Sequence, residues 1–399
     1  MNIVIFNTLR LKFFKAYTVL IANLFLLLNI IFPKKNDIII NNLISWILLA
    51  KKENNKGISR GYGHLPLKIY NEKYFKWQPD YPETTGYIIS SLIKAKVYED
   101  KFIDNTIIGL GDWLISLQKK DGSFKGGVVS SDDSSCIFDT GQIIRGLTDL
   151  FLYTNEQRFL DKSILAANWI LYNEDKKSGY WTNYNSSSVS KDIKTFNVYA
   201  IDPITKLGKI TNNNNYLDLS KRVADYTLTQ INENYSINNC ELWKGYSNMH
   251  TYGYVIEGLF NIGLTLNRET YVIKAKNILD QISKMIKKNG FLNGSFDINW
   301  NEQGNYCCLT GSAQIANMLV NLYKYNNNIT HLNDALKIYS YLKNRQNNSF
   351  DKFGGGRGAI SGSWPINKVY CSYQSISWAT KFMLDLCINL KFLSTKVID

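Results

Sequence analysis

Histidine is scarce in this chain: His64, His250 and His331 are the only three in 399 residues. They are too few and too scattered to give the spacing of a metal centre. The six cysteines (Cys136, Cys240, Cys307, Cys308, Cys371 and Cys387) fit neither a zinc ribbon nor a disulfide framework. Free thiols in a reducing compartment follow. Asp132-Asp133 alone is weak ground for magnesium, so no metal and no cofactor is expected. No tight Lys/Arg cluster with interleaved aromatics marks a nucleic-acid surface, and nucleic acid is not expected as a partner. The glycine-dense stretch 353–373 matches neither a P-loop nor a dinucleotide fingerprint. It reads as a long loop, from which Arg357 is placed to meet an acidic group on a substrate.

What the chain does contain is a repeated phrase. Glu83-Thr84-Thr85-Gly86-Tyr87 returns as Asp139-Thr140-Gly141-Gln142, as His250-Thr251-Tyr252-Gly253-Tyr254 and as Leu309-Thr310-Gly311-Ser312. Looser copies begin at Asn197 and Gln374. From Thr85 through Thr140, Asn197, Tyr252 and Thr310 to Gln374 the spacings are 55, 57, 55, 58 and 64 residues. A fixed period of this size means a repeated supersecondary unit.

Each copy opens an apolar stretch that is apolar on most sides and therefore reads as a buried helix. Between copies lie amphipathic segments, as at 102–118 with Ile107, Leu110, Leu114 and Leu117 on one face. A sixth such segment, 37–51, precedes the first copy. Six buried helices alternating with six amphipathic ones predict an all-α (α/α)6 toroid of six helical hairpins, with inner and outer helix rings; an open α-solenoid is the alternative. The toroid takes residues 36–392, after an N-terminal apolar and basic segment (1–35) and before a short tail (393–399). Glycine at the ends of outer helices (Gly122, Gly179, Gly290) supplies the positive φ of a tight turn. The polar loops that lead back to the inner helices gather at one mouth, where function is expected. Asp202-Pro203 falls inside the third inner helix, where proline should bend or end it.

Net charge is +13. Attraction to acidic glycans, nucleic acid or anionic lipid is one reading; the preferred one is biased composition, since Lys, Asn and Ile are abundant throughout. The run Ala16–Phe32 carries no charge and is about as long as the shortest membrane span. Basic residues flank it on both sides (Arg10, Lys12 and Lys15; Lys34 and Lys35), which leaves its orientation unreadable. No small-residue cleavage site is clear, so a cleaved signal peptide is not expected. A helix lying in the membrane interface, a short span, and an extra helix packed on the toroid are all compatible with the sequence. The expected localisation is membrane-associated or cytoplasmic.

The chemistry is expected at the starts of the inner helices. Glu83 and Asp139 are the acids at matched positions on neighbouring inner helices. Glycosidic hydrolysis needs such a pair, one as acid and one as base or nucleophile. As helix caps they would instead be held ionised by free N–H groups and the dipole. His250 with Tyr252 forms a second candidate set, able to take the proton α to a uronate carboxylate in an elimination or epimerisation. Substrate contacts are expected from Trp77, Tyr87, Gln142, Asn197, Trp243, Thr310, Gln314, Arg357, Trp364, Tyr373 and Trp378. Aromatic walls with a few polar groups suit a sugar, which offers C–H faces for stacking and hydroxyls for hydrogen bonding.

The run Tyr81-Pro82-Glu83-Thr84-Thr85-Gly86-Tyr87, together with Phe138-Asp139-Thr140-Gly141-Gln142, Leu309-Thr310-Gly311-Ser312-Ala313-Gln314 and Ile360-Ser361-Gly362-Ser363-Trp364-Pro365, resembles toroid proteins of bacterial polysaccharide-biosynthesis clusters. Those are related to six-hairpin glycosidases and to terpenoid-cyclase and prenyltransferase toroids. The resemblance spans roughly residues 37–390 and implies the fold and a glycan context. The cyclase acid motif Asp-x-Asp-Asp is absent, which speaks against triterpene chemistry. The expected function is therefore glycoside hydrolase-like action on a surface polysaccharide or lipid-linked glycan, anionic ones included. A uronate lyase or epimerase, a non-catalytic glycan-binding or assembly factor, and an isoprenoid-handling toroid are the alternatives.

Overall fold

A computed structural model describes residues 2–54, 56–65, 77–96, 102–175, 179–184, 193–242, 245–347 and 355–396. Its helices in chain order are α1 (Asn2–Ile31), α2 (Asn36–Asn54), α3 (Pro82–Ala95), α4 (Phe102–Ser116), α5 (Ile137–Thr154), α6 (Gln157–Tyr172), α7 (Val198–Thr211), α8 (Asn214–Thr229), α9 (Met249–Leu266), α10 (Glu269–Ser283), α11 (Leu309–Asn326), α12 (Ile329–Lys343) and α13 (Ser377–Lys396). Helices α3, α5, α7, α9, α11 and α13 form the inner ring, each packed on the next, with α13 packed on α3. Each outer helix packs on the inner helix before it in the chain, from α4 on α3 to α12 on α11. The sixth hairpin joins the two ends of the toroid: α2 packs on α13. A two-stranded ladder stitches the same seam, β1 (Gly61–Gly63) antiparallel to β2 (Gln374–Ile376), with Gly61 opposite Ile376. The ring is a closed (α/α)6 toroid and not an open solenoid.

Glycine sets how closely the inner helices approach. A Cβ on Gly86 would lie 2.5 Å from the Gln142 carbonyl oxygen of α5, and one on Gly141 would lie 2.4 Å from the Ala200 carbonyl oxygen of α7. Gly311 meets the His250 amide of α9 in the same way. The repeated glycine is thus a contact residue between neighbouring helix starts. At the far ends, α5, α7, α9 and α11 stop at Asn155, Asn212, Asn267 and Asn327, each in the left-handed region. Asparagine tolerates that conformation better than other side chains and closes the last carbonyls.

Pro203 neither ends nor breaks α7, which continues to Thr211. Proline leaves the Tyr199 carbonyl, four residues back, without its helical donor. Arg145 of α5 supplies the replacement, its Nη2 donating to that oxygen at 3.0 Å. A loss inside one helix becomes a bond between two.

Helix α1 lies against the toroid through a narrow face. The Thr18 hydroxyl donates to the His64 carbonyl at 3.4 Å, and the Asn29 amide donates to the carbonyls of Asn344 and Gln346 at 2.9 and 3.1 Å. Phe25 is buried between these two points. Its other face leaves Leu9, Phe13, Tyr17, Leu20, Leu24, Leu27 and Ile31 exposed, a three- and four-residue stripe along the helix. By length and composition Leu11–Ile31 is able to cross a membrane, yet only 11% of its apolar window is buried in the protein.

Candidate functional site

Glu83 stands in the first turn of α3, after Tyr81 as N-cap and Pro82 at the first helical position. Asp139 stands in the first turn of α5, after Cys136 as N-cap. Neither acid is therefore the capping residue. Both are buried, Glu83 at 6% and Asp139 at 2% exposure. Burial, then repulsion from Asp139, pushes the Glu83 carboxyl far above the carboxylate range, against hydrogen bonds from the Tyr81 and Tyr87 hydroxyls and the field of Arg60. Burial also raises Asp139, less far, because the Cys136 thiol and the Gly127 amide (2.8 Å to Oδ1) hold its charged form. A helix N-terminus favours an anion by about 0.3–1 kcal/mol. Stripping water from a carboxylate costs several times that. Desolvation outweighs the helix field at Glu83. Burial raises both carboxyls, and repulsion from Asp139 makes Glu83 the higher of the two.

Around this pair the inner helices build an aromatic floor. Tyr254 of α9 stacks on Tyr199 of α7 with ring centres 4.8 Å apart, lies 4.8 Å from Phe138 of α5, and lies 6.2 Å from Phe382 of α13. Tyr87 of α3 lies 5.9 Å from Phe382. His250 packs on Tyr254 at 4.2 Å and on Tyr370 at 5.8 Å. Its Nδ1 meets Gln314 Oε1 at 2.5 Å. Since that oxygen only accepts, Nδ1 carries the hydrogen and Nε2 keeps the lone pair. Burial holds the ring neutral, down to about 3.

A belt of charge lies further along the inner helices. Arg145 pairs with Asp202 at 2.9 Å and also takes the Gln142 side-chain oxygen at 3.1 Å. Lys381 pairs with Asp385 at 2.8 Å. Glu257 lies within the field of all four, its carboxyl raised chiefly by burial.

The structure brings together part of the expected set. Glu83, Asp139, Tyr87 and Trp378 belong to one neighbourhood: Trp378 lies edge-on to Tyr81 at 6.0 Å and donates to the Tyr370 hydroxyl at 2.9 Å. His250 and Gln314 face the same aromatic floor. Gln142 is buried under it, and Asn197 is buried at the start of α7. Thr310 is buried beside the α9–α11 contact, its hydroxyl without a partner among the described residues. Tyr252 does not join His250. Its hydroxyl accepts the Ile237 amide at 3.2 Å and its ring packs on Trp300. Two residues advance a helix by about 200°, so Tyr252 points away from His250, and Tyr254, four residues on, shares its face. Arg357 is exposed and lies near Lys34, whose ammonium is lowered to about 8 by burial and then by Arg357. Trp77 packs on Trp46 and Tyr62 at the seam. Trp364 lies in a short strand (Ser363–Trp364) under Arg345. Tyr373 sits beside Lys15 of α1. Trp243 lies outside the described residues. Among the described residues no cluster of three or more His, Cys, Asp or Glu side chains is arranged to hold a metal.

Sequence reasoning missed Arg60, which reaches Glu83 electrostatically from the loop before β1. It missed Tyr254 as the partner of His250, although the four-residue spacing carried that signal. It also missed the belt of Arg145, Glu257 and Lys381, whose residues lie one or two turns inside apolar helices.

Comparison with known proteins places the chain. The family model for the ulvan lyase N-terminal domain matches residues 109–326. No curated protein matches the chain. Solved structures agree along nearly its whole length. An unsaturated glucuronyl hydrolase specific for heparin aligns with TM-score 0.67 at 12% identity, covering 90% of this chain and 99% of its own. The unsaturated glucuronyl hydrolase of Bacillus sp. GL1 aligns with TM-score 0.67 at 11% identity, covering 88% and 95%. Cellobiose 2-epimerase from Bacillus thermoamylovorans B4167 aligns with TM-score 0.67 at 13% identity, covering 87% and 97%.

Proposed function

We propose, from the premise that the chain belongs to the ulvan lyase N-terminal domain family, that it is a carbohydrate-active enzyme with glycoside hydrolase-like acid/base chemistry at Glu83 and Asp139. The observation that carries this is the pair itself: two buried carboxyls on adjacent helix starts, one pushed far up and one less so. That split assigns the roles of acid and base. Glu83 gives its proton to the glycosidic oxygen as the bond to the anomeric carbon breaks. Asp139 takes a proton from the attacking water, or bonds the anomeric carbon until water releases it. Either route consumes one water and creates one reducing end. Tyr87, Trp378 and Gln314 are proposed to contact the sugar, with Asn197 and Thr310 supporting them from the helix starts. The matching structures include enzymes named for glucuronyl hydrolysis and sugar epimerisation, which supports a glycan substrate, an anionic one included.

A lyase or epimerase built on His250 is the second reading, favoured by the neutral ring and its contact with Tyr254, not Tyr252. It ranks lower because a base is most effective with a pKa near the working pH, and burial holds His250 down to about 3. An isoprenoid-handling toroid calls for an apolar cavity, and this lumen carries Glu83, Asp139, Arg145, Asp202, Glu257 and Lys381. The readings separate in one assay on uronate-bearing oligosaccharides. Hydrolysis raises reducing ends without ultraviolet absorbance from C4–C5 unsaturation, whereas elimination raises both. Glu83→Gln and Asp139→Asn are each expected to lower the rate by about 10²–10⁴-fold. Full activity in both variants, or unaltered glycan binding with no turnover in the wild type, refutes the catalytic pair, the latter in favour of a non-catalytic binding factor.

We further propose that α1 holds the protein on an anionic membrane surface, where a surface polysaccharide or lipid-linked glycan is within reach. Support comes from its exposed apolar stripe, the lysines that flank it (Lys12, Lys15, Lys34, Lys35) and the net charge of +13. Flotation with anionic vesicles is expected to carry the wild-type chain and not Leu20→Glu/Leu24→Glu. Equal flotation of both proteins removes the stripe from the account.

A further inference from the structure

The mouth of the toroid contains a guanidinium that no carboxylate neutralises among the described residues. Arg60 is pinned through its backbone at the seam: its amide donates to the Pro79 carbonyl at 3.0 Å, and its carbonyl accepts the Ser377 amide at 3.2 Å. Its side chain is half-buried. Both hydrogens of Nη1 are used, one on Gln78 Oε1 at 2.5 Å and one on Gln374 Oε1 at 2.8 Å. Nη2 has only the Cys371 thiol, at 3.9 Å. No hydrogen bond from Nε is made among the described residues, and no carboxylate of those residues pairs with Arg60. The group lies over Trp378 at 5.1 Å, and Trp378 in turn lies edge-on to Tyr81 at 6.0 Å, whose hydroxyl bonds Glu83.

A guanidinium has five donors in a flat fork. With Nη1 consumed, the open edge is the Nε–Nη2 side, which matches the two oxygens of a carboxylate. Stacking on an indole fixes the plane of that fork and thins its water. The two glutamine oxygens orient the cation without cancelling its charge, since they are neutral.

We propose that Arg60 is a carboxylate subsite: its Nε–Nη2 edge receives the carboxylate of a uronate residue and seats that sugar against Trp378, beside the Glu83 proton. This rests on the reading of the site as glycan-processing and names the substrate class it takes. It moves the role expected of Arg357 to a residue in the loop that leads into β1. Arg60 binds and orients; it takes no part in proton transfer.

The test is calorimetric binding of two ligands to the intact protein: a glucuronate-bearing oligosaccharide, and the same oligosaccharide with its carboxyl reduced to the alcohol. The wild type is expected to bind the uronate at least about tenfold more tightly. Arg60→Gln is expected to bind both at the weaker level. Arg60→Lys keeps the charge but not the fork, and is expected to fall between. Thermal melting of both variants checks the seam, which is held by main-chain bonds that neither change removes. Equal binding of the two ligands by the wild type overturns the carboxylate subsite and leaves the glycan reading standing, as does discrimination that survives in Arg60→Gln. Binding of neither ligand overturns both.

Discussion

At the scale of single residues, environment and not identity decides the chemistry. Glu83 and Asp139 occupy matched places in a repeated phrase, and that much was legible. Their division of labour was not: Tyr81, Tyr87 and Cys136 flank them in the same segments, but the burial that dominates both shifts and the bond from the Gly127 amide arise only in the folded ring. The sign of the pH dependence follows. Activity should rise as Asp139 loses its proton and fall as Glu83 loses its own at higher pH. The alkaline limb therefore belongs to Glu83. Asp139→Asn should shift the titration of Glu83 downward, since its charge is the second largest cause that raises Glu83. A profile whose alkaline limb does not depend on position 83 contradicts the assignment. Tyr252 shows the opposite kind of miss. Chain proximity to His250 suggested a pair, but helical geometry turns it toward Trp300 and brings Tyr254 to the imidazole.

At the scale of elements, period and burial were readable from sequence, and connections were not. The alternation of helices apolar on most sides with amphipathic ones gave the two rings. The pairing of α2 with α13 and of β1 with β2 joins segments more than 310 residues apart, and nothing local encodes it. Pro203 illustrates the limit of a local rule: proline should disturb α7, and Arg145 of the neighbouring helix satisfies the carbonyl that proline strands. The repeated glycine yields a prediction at this scale. Gly86→Ala places a methyl carbon 2.5 Å from the Gln142 carbonyl oxygen, and backbone on both sides has little room to move. Overpacking of this kind costs about 1–3 kcal/mol, read as a lower denaturation midpoint. Gly109→Ala, with nothing within 4 Å of the added carbon, should stabilise or leave the chain unchanged. If Gly86→Ala is as stable as Gly109→Ala, the close approach of the inner helices is wrong.

At the scale of the whole molecule, closure creates the site. Aromatic side chains from α3, α5, α7, α9 and α13 meet in one lumen, and the seam between the chain's two ends carries Arg60 to within reach of Glu83. Helix α1 docks at the same seam, against His64 and Gln346. Its apolar length was legible in the sequence; its narrow docking face was not, because Thr18, Phe25 and Asn29 are unremarkable until the toroid is there to receive them. Burying two carboxyls at neighbouring helix starts raises both and sets Glu83 above Asp139. The most direct measurement is a carbon-13 NMR titration of the side-chain carboxyls in the wild-type protein and in Glu83→Gln. The account predicts one glutamate that stays protonated through neutral pH, ionises only in the alkaline range and vanishes from the spectrum of the variant. If every glutamate carboxyl of the wild type ionises in the ordinary acidic range, Glu83 is no proton donor and the acid/base pair is contradicted.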